Sequence, residues 1–163
     1  MSETEIKGYM PGAIGRIAEL HATYYHKNWD FGQFFEAKVA TELSAFLDRF
    51  DKLRDGFWTV CLDNRVEGSI TIDARNAEKK GAHLRWFIMS SNLRGKGYGN
   101  LLMEKSVNLC KLNGYPSIYL WTFKGLSAAC HLYEKFGFKL NEEVIGSQWG
   151  TEVKEQKYVL ELR

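Results

Sequence analysis

The hexapeptide Arg94-Gly95-Lys96-Gly97-Tyr98-Gly99 brings glycine and positive charge together at a spacing suited to holding a pyrophosphate. Glycine lets the main chain approach phosphate oxygens closely and adopt left-handed conformations. Arg94 and Lys96 add formal charge. An apolar strand from Leu84 leads into this turn, and a helix from about Asn100 to Leu112 leads out of it. The free N–H groups and positive dipole end of that helix fall on the same spot. Two familiar phosphate loops are excluded. A dinucleotide G-x-G-x-x-G fails because Asn100 and Leu102 stand where the third glycine would be. A nucleotide-triphosphate loop needs four residues between its first glycine and Gly-Lys-Ser/Thr, and none is present.

What does fit is R-x-x-G-x-G, read as Arg94-x-x-Gly97-x-Gly99. Here the chain resembles the GNAT superfamily of N-acetyltransferases, whose coenzyme A pyrophosphate loop has the form Q/R-x-x-G-x-G/A. A second pattern follows in the right order. Ser127–Phe138, SAACHLYEKFGF, is similar to the GNAT helix that ends in Y-x-K-x-G-F, with Tyr133, Lys135, Gly137 and Phe138 in place. Leu126, Ala129, Leu132, Tyr133 and Phe136 recur at three- and four-residue steps and form one apolar helix face, with Gly137 as its C-terminal cap.

The resemblance implies an acetyl-coenzyme A donor, a primary amine acceptor (a small molecule, amino acid or peptide) and direct attack within a ternary complex. An alkylamine is neutral in only about 0.04% of molecules at pH 7, so a site of this kind must remove a proton. The resemblance further implies that backbone amides of Ile88, Met89 and Ser90 meet the acetyl carbonyl and pantetheine. It likewise implies that Arg94, Gly95, Lys96, Gly97, Tyr98, Gly99 and Asn100 hold the pyrophosphate, and that Tyr133 protonates the departing thiolate. Many GNAT proteins carry an asparagine seven residues before that tyrosine. Leu126 stands there instead; the bond to the pantetheine arm is then expected from the hydroxyl of the adjacent Ser127 or from a water.

The residues themselves offer two candidate bases, Asp73 at a strand end and His83 on the strand bordering the acceptor. For each, an ordinary surface or packing role is the alternative reading. Arg85, inside an apolar strand, calls for a carboxylate partner on the protein or on the substrate. Tyr25 and Glu36 belong to an aromatic and polar stretch, His21–Glu36, that reads either as a cage for an amine or as a core stripe; Tyr24, Phe34 and Phe35 fit the core better. No third ligand accompanies His21, so no metal is expected.

Elements that would position these residues can be read from periodicity. Strands are expected at Ile6–Tyr9, Phe57–Leu62, Val66–Asp73, Ala82–Met89, Ser117–Phe123, Leu140–Ser147 and Lys154–Leu162. Helices are expected at Ala13–Lys27, Phe34–Phe50, Gly99–Leu112 and along the Tyr133 motif. Periodicity alone supports α/β or α+β. The GNAT resemblance implies a central mixed, mostly antiparallel sheet of about seven strands flanked by about four helices.

Composition supports one domain over residues 1–163, with 45% apolar and 26% charged residues. A net charge of +2 without a basic run excludes a nucleic-acid footprint. No stretch approaches membrane-spanning length, and the N-terminus lacks signal-peptide character, so a cytoplasmic protein is expected. Three cysteines without ligand spacing read as buried hydrophobes. Exposed C-terminal strand edges allow a homodimer without requiring one. The blocks FEAKVA (Phe35–Ala40), GSITID (Gly68–Asp73), LRWFI (Leu84–Ile88) and LWTFKGLSAA (Leu120–Ala129) are similar to the acetyltransferase half of bacterial fusions between a MarR-type regulator and a GNAT domain. Trp149-Gly150 and Glu155-Gln156 extend that likeness, and a stand-alone version of the domain is implied. An alternative to the enzyme is a non-catalytic acyl-coenzyme A sensor.

Overall fold

The computed structural model describes residues 3–163. In chain order the elements are β1 (Thr4–Lys7), α1 (Ala13–Trp29), α2 (Gln33–Asp48), β2 (Gly56–Leu62), β3 (Arg65–Asp73) and α3 (Ala77–Lys80). They continue with β4 (Ala82–Met89), α4 (Tyr98–Leu112), β5 (Ser117–Phe123), α5 (Ser127–Lys135), β6 (Lys139–Gly146) and β7 (Val153–Glu161). The strands form one seven-stranded sheet in the order β1-β2-β3-β4-β5-β7-β6. Every neighbouring pair is antiparallel except β4–β5, which is parallel. This is the mixed, mostly antiparallel sheet expected.

Two details differ from the sequence reading. A fifth helix, α3, is a single turn in the β3–β4 connection, too short for any periodic signal. Strand β1 lies two residues earlier than Ile6–Tyr9, because its extent is set by pairing with β2, from Thr4 opposite Leu62 to Lys7 opposite Thr59. Tyr9 falls outside the sheet and is 60% exposed. The β2–β3 hairpin turns on Asp63 and Asn64, both with positive φ, as a two-residue hairpin loop needs.

Side chains alternate across the sheet and build two cores. One face packs Ile70, Ile72, Leu84 and Ile118 against Leu102, Met103 and Val107 of α4. The other packs Phe57, Trp86 and Phe123 against Ile17 of α1 and Phe35, Val39, Leu43 and Phe46 of α2. The α2 residues recur at three- and four-residue steps, so one stripe of the helix is covered by the sheet. Burying each such side chain contributes about 1.5–3 kcal/mol. No helix among the described residues is long and apolar enough to cross a membrane.

Candidate active site

The site is built on an irregularity in β4. Ile88 lies opposite Ser69 of β3, yet Arg85 lies opposite Thr71, so Trp86 and Phe87 share one partner position, Ile70. This is a β-bulge, and Trp86 adopts a φ of 47°, unusual for an aromatic residue. The bulge breaks the two-residue alternation. Leu84 faces the α4 core while Trp86 faces α1 and α2. The Ser69 hydroxyl donates to the Trp86 carbonyl at 2.6 Å and pins the distortion.

On its other side, β4 pairs with β5 only at Ala82–Ile118 and His83–Tyr119. From there the two parallel strands part. The Ser90 amide donates to the Glu67 carbonyl at 2.7 Å. Antiparallel alternation points the Ile88 amide the same way, into β3, and the Met89 amide toward the opened edge. Of the three amides expected to meet the acyl arm, Met89 alone is therefore turned to the gap; those of Ile88 and Ser90 are tied into the sheet. Ser90 retains its hydroxyl, which is buried without a hydrogen-bond partner.

The glycine loop lies beyond the end of β4. Gly95 and Gly97 have φ of 76° and 84°, conformations that side chains resist. The first bond of α4 runs from the Leu101 amide to the Gly97 carbonyl, and no side chain caps the helix. The amides of Tyr98, Gly99 and Asn100 thus lack intrahelical acceptors. Lys135 donates to Asn100 Oδ1 at 2.7 Å, which joins the glycine loop to the Tyr133 motif. The Arg94 guanidinium rests over the Tyr24 ring, 4.9 Å from its centroid, and both Arg94 and Lys96 are exposed.

Where β4 and β5 part, a cleft of about 430 Å³ opens. Strand residues His83–Phe87 and Tyr119–Phe123 form its floor. His21 and Tyr25 of α1, and Phe35, Lys38, Val39 and Glu42 of α2, form one wall. Leu126, Ala129 and Tyr133 form another, with Gln148 and Trp149 of the β6–β7 turn completing it. Gln148 is held by the buried Glu155, which accepts from its main-chain and side-chain nitrogens at 2.9 and 2.8 Å. Ser127 is exposed and stands outside the lining, whereas Leu126 is in it.

Tyr133 is buried among Phe87, Phe138 and Tyr158. Burial, then the neighbouring Tyr25, Cys130 and Tyr158, pushes its phenol well above the usual range, so it stays protonated. Its hydroxyl makes no hydrogen bond among the described residues. Tyr25 also lines the cleft, with its phenol pushed up by burial, and stacks within the cluster of Phe31, Phe35 and Phe123. His21 donates through Nδ1 to the Ile17 carbonyl at 2.8 Å, and burial lowers its pKa to about 4.

The candidate bases separate. Asp73 forms a two-pronged ion pair with Arg49, at 3.1 and 2.6 Å, and accepts from the Arg75 amide. Burial would raise its pKa, but these bonds outweigh it and hold the carboxyl below the usual carboxylate range. Asp73 does not line the cleft, and its carboxylate is taken up by Arg49 and the Arg75 amide rather than turned to an acceptor. His83 does line the cleft, stacked on Tyr119 at 4.5 Å. Burial, reinforced by the Arg85 charge, lowers its pKa to about 3, so it is neutral at physiological pH.

Glu36 is exposed and absent from the lining, one position off the buried stripe of α2. The cleft-facing positions are instead Phe35, Lys38, Val39 and Glu42. Their i, i+3, i+4, i+7 spacing was the available signal for Lys38 and Glu42, which sequence reading missed. Arg85 has the partner its position called for. It pairs with Glu42, whose other oxygen accepts from Lys38 at 2.6 Å. Phe34, expected in the core, is 61% exposed.

Comparisons with known proteins agree with this geometry. Residues 16–138 match the model of the acetyltransferase (GNAT) family. N-acetylaspartate synthetase of Xenopus tropicalis is 32% identical over 121 residues, which cover 74% of this chain and 44% of that protein. The chain spans less than half the length of the curated relatives it matches. A GNAT-family acetyltransferase from Staphylococcus aureus Mu50 superposes with a TM-score of 0.75 at 17% identity, covering 99% of this chain and 100% of that one. The structure of yncA from Salmonella typhimurium with its cofactor acetyl-CoA gives 0.72 at 13% identity, covering 98% and 94%. At such identities the two structures speak for the fold alone. With the match spanning the bulged strand, the glycine loop and the tyrosine helix together, the chain belongs to the GNAT family of acetyltransferases.

Proposed function

We propose that this protein transfers the acetyl group of acetyl-coenzyme A to a primary amine by direct attack in a ternary complex. The observation that carries the reading is the parting of β4 from β5, which leaves the outer edge of β4 at Met89 unpaired and opens a cleft lined by Tyr133. The residues present suit the donor. Uncapped amides of Tyr98, Gly99 and Asn100 and the left-handed turns at Gly95 and Gly97 suit a pyrophosphate, and the unpartnered Ser90 hydroxyl suits the pantetheine amides. Arg94 would leave the Tyr24 ring to join Lys96 over the phosphates. Ser127, at the exposed start of α5, stands where Leu126 leaves the pantetheine arm without a side-chain donor.

Beyond the end of the cleft floor, on the edge of β4 left open by β5, the Met89 amide donates to the acetyl oxygen as charge develops there, and Tyr133 donates to the departing sulfur. The incoming ammonium has two protons to lose. Neutral His83 relays the first to water, its low proton affinity making it a conduit rather than a store; the second leaves the nitrogen as the intermediate collapses and returns to Tyr133, which has given its own to the sulfur. The name of the Xenopus relative supports an amine of amino-acid size as acceptor.

The test is thiol release from acetyl-coenzyme A against a panel of amines, amino acids and short peptides, beside a calorimetric titration of the donor. Thiol release that depends on an acceptor upholds the reading. Tight donor binding without turnover on any acceptor overturns it in favour of a sensor.

A further inference from the structure

Building on the reading of the cleft as an acceptor site, we infer that the acceptor carries a carboxylate beside its amine and that Arg85 and Lys38 bind it. Two cations and one carboxylate line the cleft, Lys38 and Arg85 against Glu42, which leaves a surplus of one positive charge. His83 adds nothing to it, being neutral. Two further carboxylates flank lining residues without entering the lining: Asp73, opposite His83, is neutralised by Arg49, and Glu155, opposite Phe123 at the other end of β5, is turned to the nitrogens of Gln148. Lys157, over the Tyr119 ring at 5.0 Å, strengthens the positive field.

Side chains of Lys38, Glu42 and Arg85 are 30%, 32% and 22% exposed, so solvent screens this charge only in part. Glu42 is a poor seat for an ammonium, because its charge is already offset by two cations, Arg85 at one oxygen and Lys38 at the other. Both cations keep donors to spare. Arg85 carries five N–H donors, and its one hydrogen bond among the described residues goes to Glu42; Lys38 carries three and uses one. The guanidinium carbon also lies over the Trp86 ring, 4.2 Å from its centroid, a contact that restrains the group while leaving N–H donors for an incoming carboxylate. Glu42 thus acts as a brace, holding two donors at set positions for an anion. A simple monoamine or polyamine would enter against like charge, whereas an amino acid presents a carboxylate to the brace and its amine to the acyl carbon.

The experiment compares amino acids with their primary carboxamides and with the corresponding decarboxylated amines, for the native protein and for Arg85→Gln. The free acids are expected to show at least about tenfold higher kcat/KM than their amides. Arg85→Gln should raise KM for the acids by a similar factor and bring the acid-to-amide ratio of kcat/KM close to one; a ratio left as in the native protein overturns the inference. Equal or better turnover of the amides and amines overturns the inference. Arg85→Lys, which keeps the charge and loses the fork, provides a second variant should Arg85→Gln fail to fold; it should recover part of the acid preference. If no acceptor releases thiol, transfer itself fails, and the carboxylate site is judged separately by calorimetric titration of the same acids and amides into protein saturated with coenzyme A. Binding of acids over amides then upholds the site, and equal or absent binding overturns it.

Discussion

Replacing Tyr133 with phenylalanine separates chemistry from packing. The ring sits 6.3, 5.9 and 6.0 Å from those of Phe87, Phe138 and Tyr158, and phenylalanine preserves all three contacts. The hydroxyl makes no hydrogen bond among the described residues, so its removal strands no partner there. Stability should stay within about 1 kcal/mol of the native protein or rise slightly. If Tyr133 supplies the proton to the departing thiolate, kcat should fall by about 10²–10⁴, or about 3–5 kcal/mol on the barrier. Donor affinity should be unchanged. Because burial holds the phenol protonated, Tyr133 should also give the native enzyme no alkaline fall in kcat. The measurements are thiol release under saturating donor, calorimetric affinity for coenzyme A and a urea unfolding curve. Native turnover in a folded Tyr133→Phe protein refutes the acid role. A loss of turnover matched by an equal loss of donor affinity refutes it too, since the hydroxyl would then be a binding group.

Three further outcomes are expected. Arg94→Ala combined with Lys96→Ala should raise the KM for acetyl-coenzyme A more than it lowers kcat, and an unchanged KM removes both from the phosphate site. Ser69→Ala frees the Trp86 carbonyl from its 2.6 Å restraint; it should cost about 1–2 kcal/mol in chemical denaturation and reduce kcat, while a variant with native stability and turnover shows the bulge holding without the strap. Asp73→Asn should lower stability by about 1–3 kcal/mol at neutral pH, discounted because Arg49 is partly solvated. The folded pKa of Asp73 lies below the ordinary 3.8, so its contribution is complete above that value and is lost as pH falls through the folded pKa. Unfolding curves of the two proteins should converge in strong acid, and a gap that persists there shows the loss to be one of packing.

Much of this architecture is legible in the residues because it is periodic or local. The α2 stripe at Phe35, Val39, Leu43 and Phe46 follows helical spacing, and the glycine loop and Tyr133 motif are contiguous words. The bulge is not legible, since a two-residue alternation places Arg85 with Phe87 and gives no cue that Trp86 takes a positive φ. Nor is the fate of Asp73, which depends on Arg49, 24 residues away at the far end of a helix. Glu36 and Glu42 have the same chemistry, and only the rotation of α2 against the sheet decides that the second faces the cleft. Side-chain roles that depend on distant partners emerge with the fold.

Among the described residues, main-chain pairing across the middle of the sheet is confined to Ala82–Ile118 and His83–Tyr119. On either side lie β1 to β4 and β5, β7 and β6. Beyond those two pairs the halves are joined by side chains, in the two cores that span the seam. Under the proposed reading, an acyl-pantetheine arm laid in the gap would splint it, adding main-chain hydrogen bonds where the sheet has none of its own. Donor binding would then be felt less as a change of shape than as a change of stiffness, with slower hydrogen exchange in strands the donor never touches.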